Sequence, residues 1–142
     1  MNHRPVAAFL AVLACAGLAA CSSPETRAKE DAAVAAAEAW LKMTDTGDAA
    51  GSWQASAEFF RRAVTQEQWT KSLSAARAPL GGLVSRAVKA RKYATHLPGA
   101  PDGEYVMVLF RSSFSNKQSA VETVTPMLDP DGTWRVSGYY IR

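Results

Sequence analysis

The sequence predicts an α+β domain in which helices come first and an antiparallel four-stranded sheet follows. Three observations carry this. Apolar residues recur at spacings of three and four between Ala33 and Ala76, the period of a helix with one buried face. From Leu83 onward the period falls to two, as in strands. Segments rich in Pro, Gly, Asp and Asn then cut that second half into strand-length pieces. A length of 142 residues suits one domain, and a hydrophobic fraction of 48% is ample for its core. The net charge of +3 is too small for nucleic-acid binding to be the default reading.

A leader precedes the domain. Arg4 supplies a weakly positive start, and Val6 to Ala20 is an uncharged apolar run of about 15 residues. That is short of the ~20 needed to span a bilayer and fits the apolar core of a secretory signal. The run ends Leu18-Ala19-Ala20-Cys21, then Ser22-Ser23-Pro24. A Leu, two small residues and a Cys at this position resemble a bacterial lipoprotein signal, which implies cleavage before Cys21 and lipidation of its new N-terminus. The alternative is an ordinary secretory signal that Cys21 happens to follow. The expected organisation is residues 1–20 as signal, 21–29 as lipidated Cys and tether, and 30–142 as the domain.

Only two cysteines occur. Cys15 would leave with the signal and Cys21 would carry lipid, so no thiol remains for a disulfide or a cysteine metal site. Acyl chains, palmitate among them, would anchor the domain without a spanning helix. Ser22 after the Cys resembles the pattern that directs lipoproteins to the outer membrane of Gram-negative bacteria, which implies the periplasmic face of that membrane. Loss of Arg4 lowers the net charge to +2, and Arg61-Arg62 and Lys89-x-Arg91-Lys92 read as solvated faces.

A first helix carries Ala33, Ala36, Ala37, Trp40, Leu41 and Thr44 on one face and ends at Gly47. Asp48 caps a second, whose stripe is Ala50, Trp53, Ala57 and Phe60. Thr65-Gln66-Glu67-Gln68 is a capping box opening a third through Trp69, Leu73 and Ala76, stopped by Pro79 and Gly81-Gly82. Strands follow at 84–94, 104–115, 119–128 and 133–141. Asn116-Lys117 reads as a two-residue turn, and Asp129-Pro130-Asp131-Gly132-Thr133 as a three-residue loop.

Those turns set Arg111 opposite Glu122, Leu109 opposite Val124, Trp134 opposite Leu128 and Tyr140 opposite Glu122. The helix-facing side would then hold Tyr105, Met107, Leu109, Val124, Leu128, Trp134 and Val136. Val106, Val108, Phe110, Thr123, Thr125, Arg135, Ser137 and Tyr139 would lie on the other face. A slip of one residue in either turn exchanges the faces.

The element order and the closing Asp131-Gly132-Thr133-Trp134-Arg135-Val136-x-Gly138-Tyr139 resemble the nuclear transport factor 2-like, or cystatin-like, superfamily, whose curled sheet wraps helices into a cone. More narrowly, the chain resembles the bacterial domain-of-unknown-function 4019 family. The matching segments include Ala39-Trp40-Leu41, Gly47-Asp48, Ser52-Trp53, Phe60-Arg61, Trp69, Leu97 to Tyr105 and Glu122-Thr123-Val124-Thr125. The resemblance implies a fold and no activity.

Superfamily relatives include isomerases and dehydratases, which work with a carboxylate or His as base and a Tyr or Asp as polariser. Such chemistry needs titratable groups converging in a cavity. His96 is the sole histidine after the leader and falls in a loop. The one constellation is Arg111, Glu122 and Tyr140, read either as a polar floor for an anionic ligand or, in preference, as a cross-strand salt bridge to which Tyr140 donates a hydrogen bond. An Arg-paired Glu stays ionised, which suits a base poorly. Trp40 and Trp134 could line an apolar pocket or serve as core.

The preferred expectation is a non-enzymatic binding module, without cofactor or metal, for a small apolar ligand or an envelope partner. Its candidate ligand residues are Arg111, Glu122, Tyr140, Trp40 and Trp134. One alternative is an isomerase- or dehydratase-type enzyme with Glu122 or His96 as base and Tyr140 or Tyr105 as polariser. Another is a structural module that forms a homodimer through Val106, Val108, Phe110 and Tyr139.

Overall fold

The computed structural model describes residues 22–142; the signal segment and Cys21 lie outside the described residues. Four helices, α1 (Pro24–Asp45), α2 (Ala49–Gln54), α3 (Glu58–Ala63) and α4 (Gln66–Arg77), are followed by a 3-10 turn at Ala78–Leu80. Strands β1 (Leu83–Ala94), β2 (Tyr105–Phe114), β3 (Lys117–Leu128) and β4 (Trp134–Ile141) then form one curled antiparallel sheet in chain order. The α+β class and the four strands are as expected.

Local chemistry sets the helix ends. The Ser23 hydroxyl accepts from the Thr26 amide and Pro24 occupies the first turn, so α1 begins six residues before the expected domain boundary. Residues 24–29, expected as tether, are helix. Gly47, at φ +76°, turns the chain out of α1 in a conformation that only glycine adopts without strain. The capping box at Thr65 and Gln68 forms with both hydrogen bonds.

The expected second helix is two helices. The Ala57 amide donates to the Val136 carbonyl of β4 at 2.8 Å, an attachment that an unbroken helix could not make. Its stripe survives in part: Phe60 and Ala57 are buried, Trp53 half-buried.

Both strand registers depart from expectation by one residue. The β2–β3 turn is Ser115-Asn116, closing on Phe114 opposite Lys117. Gln118 and Ser119 then lie opposite the single residue Ser113, and the pairing continues with Phe110, not Arg111, opposite Glu122. Leu109 therefore meets Thr123, and Val108 meets Val124. In β3–β4, Trp134 opposite Leu128 is as expected, and Val136 meets Pro126. Ser137 is then an extra residue, so Val124 meets Tyr139 and Glu122 meets Ile141.

The core is consequently the face expected to be outside on β2. Val106, Val108 and Phe110 are buried with Val124 and Val136 against Ala33, Ala37, Trp40 and Leu41 of α1 and Trp69 and Leu73 of α4. Met107 and Leu109 are half-buried on the opposite face, while Tyr105 packs with Ala57 and Met127 in a second cluster. The homodimer face drawn from Val106, Val108, Phe110 and Tyr139 is therefore covered by the helices and cannot meet a second copy.

Periodicity could not choose between the faces, because Tyr105-Val106-Met107-Val108-Leu109-Phe110 is apolar at every position. Phe110→Ala is expected to cost about 3–5 kcal/mol in urea unfolding, the usual toll of an emptied aromatic site. Leu109→Ala should cost markedly less; the reverse order would restore the expected register.

Candidate functional site

Glu122 sits on the helix-facing side of β3 with no exposure. A buried carboxylate is tolerable only when its oxygens are met by donors. Arg86 of β1 donates through Nε to Oε1 at 2.7 Å, and Ser112 of β2 donates its hydroxyl to the same oxygen at 2.5 Å. Tyr139 of β4 donates to Oε2, also at 2.5 Å. One carboxylate thus binds all three other strands.

The network continues into the helices. Arg86 makes a two-pronged contact with Asp45 at the end of α1, Nη1 to Oδ2 at 2.7 Å and Nη2 to Oδ1 at 2.9 Å. Arg77, in the last turn of α4, donates through Nη2 to Asp45 Oδ1 at 2.8 Å and through Nη1 to the Thr44 hydroxyl at 3.1 Å. Its Nη1 also lies 3.9 Å from Glu122 Oε2, and its guanidinium lies 4.8 Å from the Phe114 ring centre. Two arginines and two carboxylates balance in charge.

Burial would raise the Asp45 carboxyl, but hydrogen bonds from Arg86 and Arg77 outweigh it and hold the group below the usual range. Burial, seconded by the Glu122 charge, pushes the Tyr139 phenol well up, so it stays a donor.

A cleft of about 400 Å³ opens over this network. Its walls are Thr44, Asp45 and Gly47 at the end of α1, Ala49 of α2, Thr70, Leu73, Ser74 and Arg77 of α4, and Ala78 and Gly81 beyond. The side chain of Arg77 is 10% exposed, and its Nε is buried with no hydrogen-bond partner among the described residues.

The expected site residues are dispersed. Glu122 is at the centre of the network, but Arg111 is exposed on the opposite face of the sheet and Tyr140 is 64% exposed, lining a separate cleft of about 230 Å³ with Trp69 and Ile141. The one-residue shifts replace Tyr140 by Tyr139, and Arg86 from the neighbouring strand takes the place given to Arg111. Trp40 is core: its indole donates to the Ser52 carbonyl at 2.8 Å, and its ring lies 5.6 Å from Trp69 and 5.3 Å from Tyr139. Trp134 is half-buried against the same core. His96 is exposed on its loop and pairs with Asp102 at 2.6 Å. Tyr105 is buried with its hydroxyl bound to the Pro101 carbonyl.

Sequence reasoning missed Asp45, Arg77, Arg86, Ser112 and Tyr139. Asp45 carried one usable signal, since a carboxylate in the last turn of a helix opposes the dipole and calls for a cationic partner.

Arg86→Met removes the cation shared by the buried Glu122 and the half-buried Asp45, leaving Glu122 with only Ser112 and Tyr139 as close donors, and is expected to cost about 3–5 kcal/mol in urea unfolding. Arg86→Met with Glu122→Leu should recover part of that loss; strict additivity would deny the coupling. Because Asp45 has a depressed folded pKa, its contribution is complete above its unfolded value of about 3.9 and is lost as pH falls through the folded one. Asp45→Asn should therefore flatten the acid limb of the stability profile; an unchanged limb would refute the assignment.

A model of the family described as protein of unknown function, DUF4019, matches residues 36–139. No curated protein and no solved structure matches the chain. The matched span runs from α1 to β4 and takes in the whole network, Asp45 to Tyr139, and on that match the chain belongs to the DUF4019 family.

Proposed function

We propose that this protein is a lipid-anchored, non-enzymatic binding module of the cell envelope, with a nuclear transport factor 2-like architecture. Its binding site is the cleft between the end of α1 and α4. The leader ending Leu18-Ala19-Ala20-Cys21 supports export and anchoring, and Ser22 supports the periplasmic face of the outer membrane. Among the described residues no helix is long and apolar enough to cross a membrane; in this reading the lipid on Cys21 makes the attachment.

The observation that carries the binding reading is Arg77. The Arg77 guanidinium lines a cleft of about 400 Å³, shares Nη1 and Nη2 with Thr44 and Asp45, and keeps a buried Nε–H without a partner among the described residues, so a turn of the side chain would free a donor for an acceptor in the cleft. Leu73, Ala49 and Ala78 supply an apolar wall next to it. The ligand class that fits is a small amphipathic molecule, with an acceptor oxygen toward Arg77 and a hydrocarbon part on that wall. A wholly apolar ligand in the middle of the cone is disfavoured, because Trp40, Trp69, Phe60 and Tyr139 fill that space.

The isomerase or dehydratase alternative lacks a base. Glu122 has its oxygens taken by Arg86, Ser112 and Tyr139, and His96 stands on an exposed loop, away from the cleft.

Native mass spectrometry of residues 22–142 purified from a bacterial host tests the reading. The expected result is a small molecule retained by the wild type and lost in Arg77→Gln, with both proteins folded by circular dichroism. An empty wild-type spectrum, or equal retention by the variant, would sink the assignment of this cleft.

A further inference from the structure

We infer that the anchor holds the domain with one defined pole against the membrane, and that the Arg77 cleft opens at the opposite pole, toward water. This rests on the lipid-anchor reading above. Three residue steps separate Cys21 from Pro24, a reach of at most about 11 Å. At Pro24 the chain is already in α1, a helix of 22 residues that packs on the sheet through Ala33, Ala37, Trp40 and Leu41. That short reach keeps the start of α1 close to the bilayer.

Side-chain contacts identify what shares the anchored pole. Near the start of α1, Lys29 meets Glu104 at 2.6 Å, and the Glu30 carboxylate accepts from the Tyr93 amide at 3.1 Å. Tyr93 lies just before the loop joining β1 to β2, residues 95–104, and Glu104 is the last residue of that loop. The sheet is antiparallel, and the Leu128 amide donates to the Glu104 carbonyl, so the β3–β4 turn lies at this same end. At the far end of α1, Asp45 meets Arg86 and Arg77, beside the cleft. A helix of this length separates the two ends by about 33 Å at 1.5 Å per residue.

The helix has no face with which to lie down on lipid. Its exposed positions include Asp31, Ala32, Ala35, Glu38, Ala39 and Lys42. An interfacial helix presents Leu, Phe or Trp to the hydrocarbon and cations to the headgroups. Here the exposed positions carry alanines and charges of both signs, and none is Leu, Phe or Trp. The surface turned to the headgroups is the first turn of α1 with the loop through Pro98 and Gly99, both exposed. A ligand for the cleft therefore arrives from the aqueous side, as a water-borne solute.

Depth-dependent fluorescence quenching tests this on the full lipoprotein, processed in a bacterial host. Vesicles of phosphatidylethanolamine and phosphatidylglycerol would carry a quencher on the headgroup. With Cys21 acylated, a thiol-reactive fluorophore labels only an introduced cysteine, at Pro98→Cys or at Lys117→Cys. Both positions are exposed, the second at the cleft end. The expected result is quenching several-fold stronger at position 98 than at 117. A flexible Gly-Ser insert between Ser23 and Pro24 should erase the difference. Equal quenching of the two probes on vesicle-bound protein would overturn the orientation and leave the anchor intact. Protein that fails to float with vesicles would overturn the anchor itself, and the orientation with it.

Discussion

A carboxylate without solvent contact at Glu122 has to be answered from every side, and the rest of the fold is arranged around that demand. Arg86, Ser112 and Tyr139 reach it from the other three strands, and Arg86 passes the contact to Asp45 and so to α1 and α4. A dry ion network of this kind adds little net stability, because desolvation consumes most of the Coulomb gain. Its effect is on alternatives: any slip of β1, β2 or β4 against β3 would leave a buried charge unmet.

This constraint explains why an ambiguous sheet adopts one register. β2 is apolar on both faces, so hydrophobic burial alone scarcely distinguishes Val106, Val108 and Phe110 inward from Met107 and Leu109 inward. Only one arrangement puts Ser112 and Arg86 on the Glu122 side. The extra residue in β4, Ser137, turns Tyr139 inward to complete the set, where its ring also meets Trp40 and Trp69. Polar satisfaction and aromatic packing therefore select the same geometry, an agreement across levels that favours a single native state.

The network also gives the cleft its character. Asp45 is claimed by Arg86 with both oxygens, so Arg77 shares a partner that is already satisfied. Its remaining donors, with Phe114 against the guanidinium, form a fixed polar floor beneath an otherwise small-residue and apolar wall.

The sequence by itself determined the element types, their order, most of their ends and the identity of the central acid. These depend on short-range causes: the capping box at Thr65, the turn residues around Gly132, the left-handed glycine at 47, the change of period at Leu83. Glu122 was singled out because the turns set it opposite Arg111 and Tyr140, although both registers prove to be one residue away. Which partner it finds was decided only in three dimensions. Each bulge adds one residue, each added residue exchanges two faces, and nothing local in Ser113 or Ser137 announces where the ladder will give way. The split between α2 and α3 has the same origin, an amide at Ala57 captured by a strand 79 positions later, at Val136. Contacts between residues far apart in the chain carry that information, and the spacing of neighbours cannot.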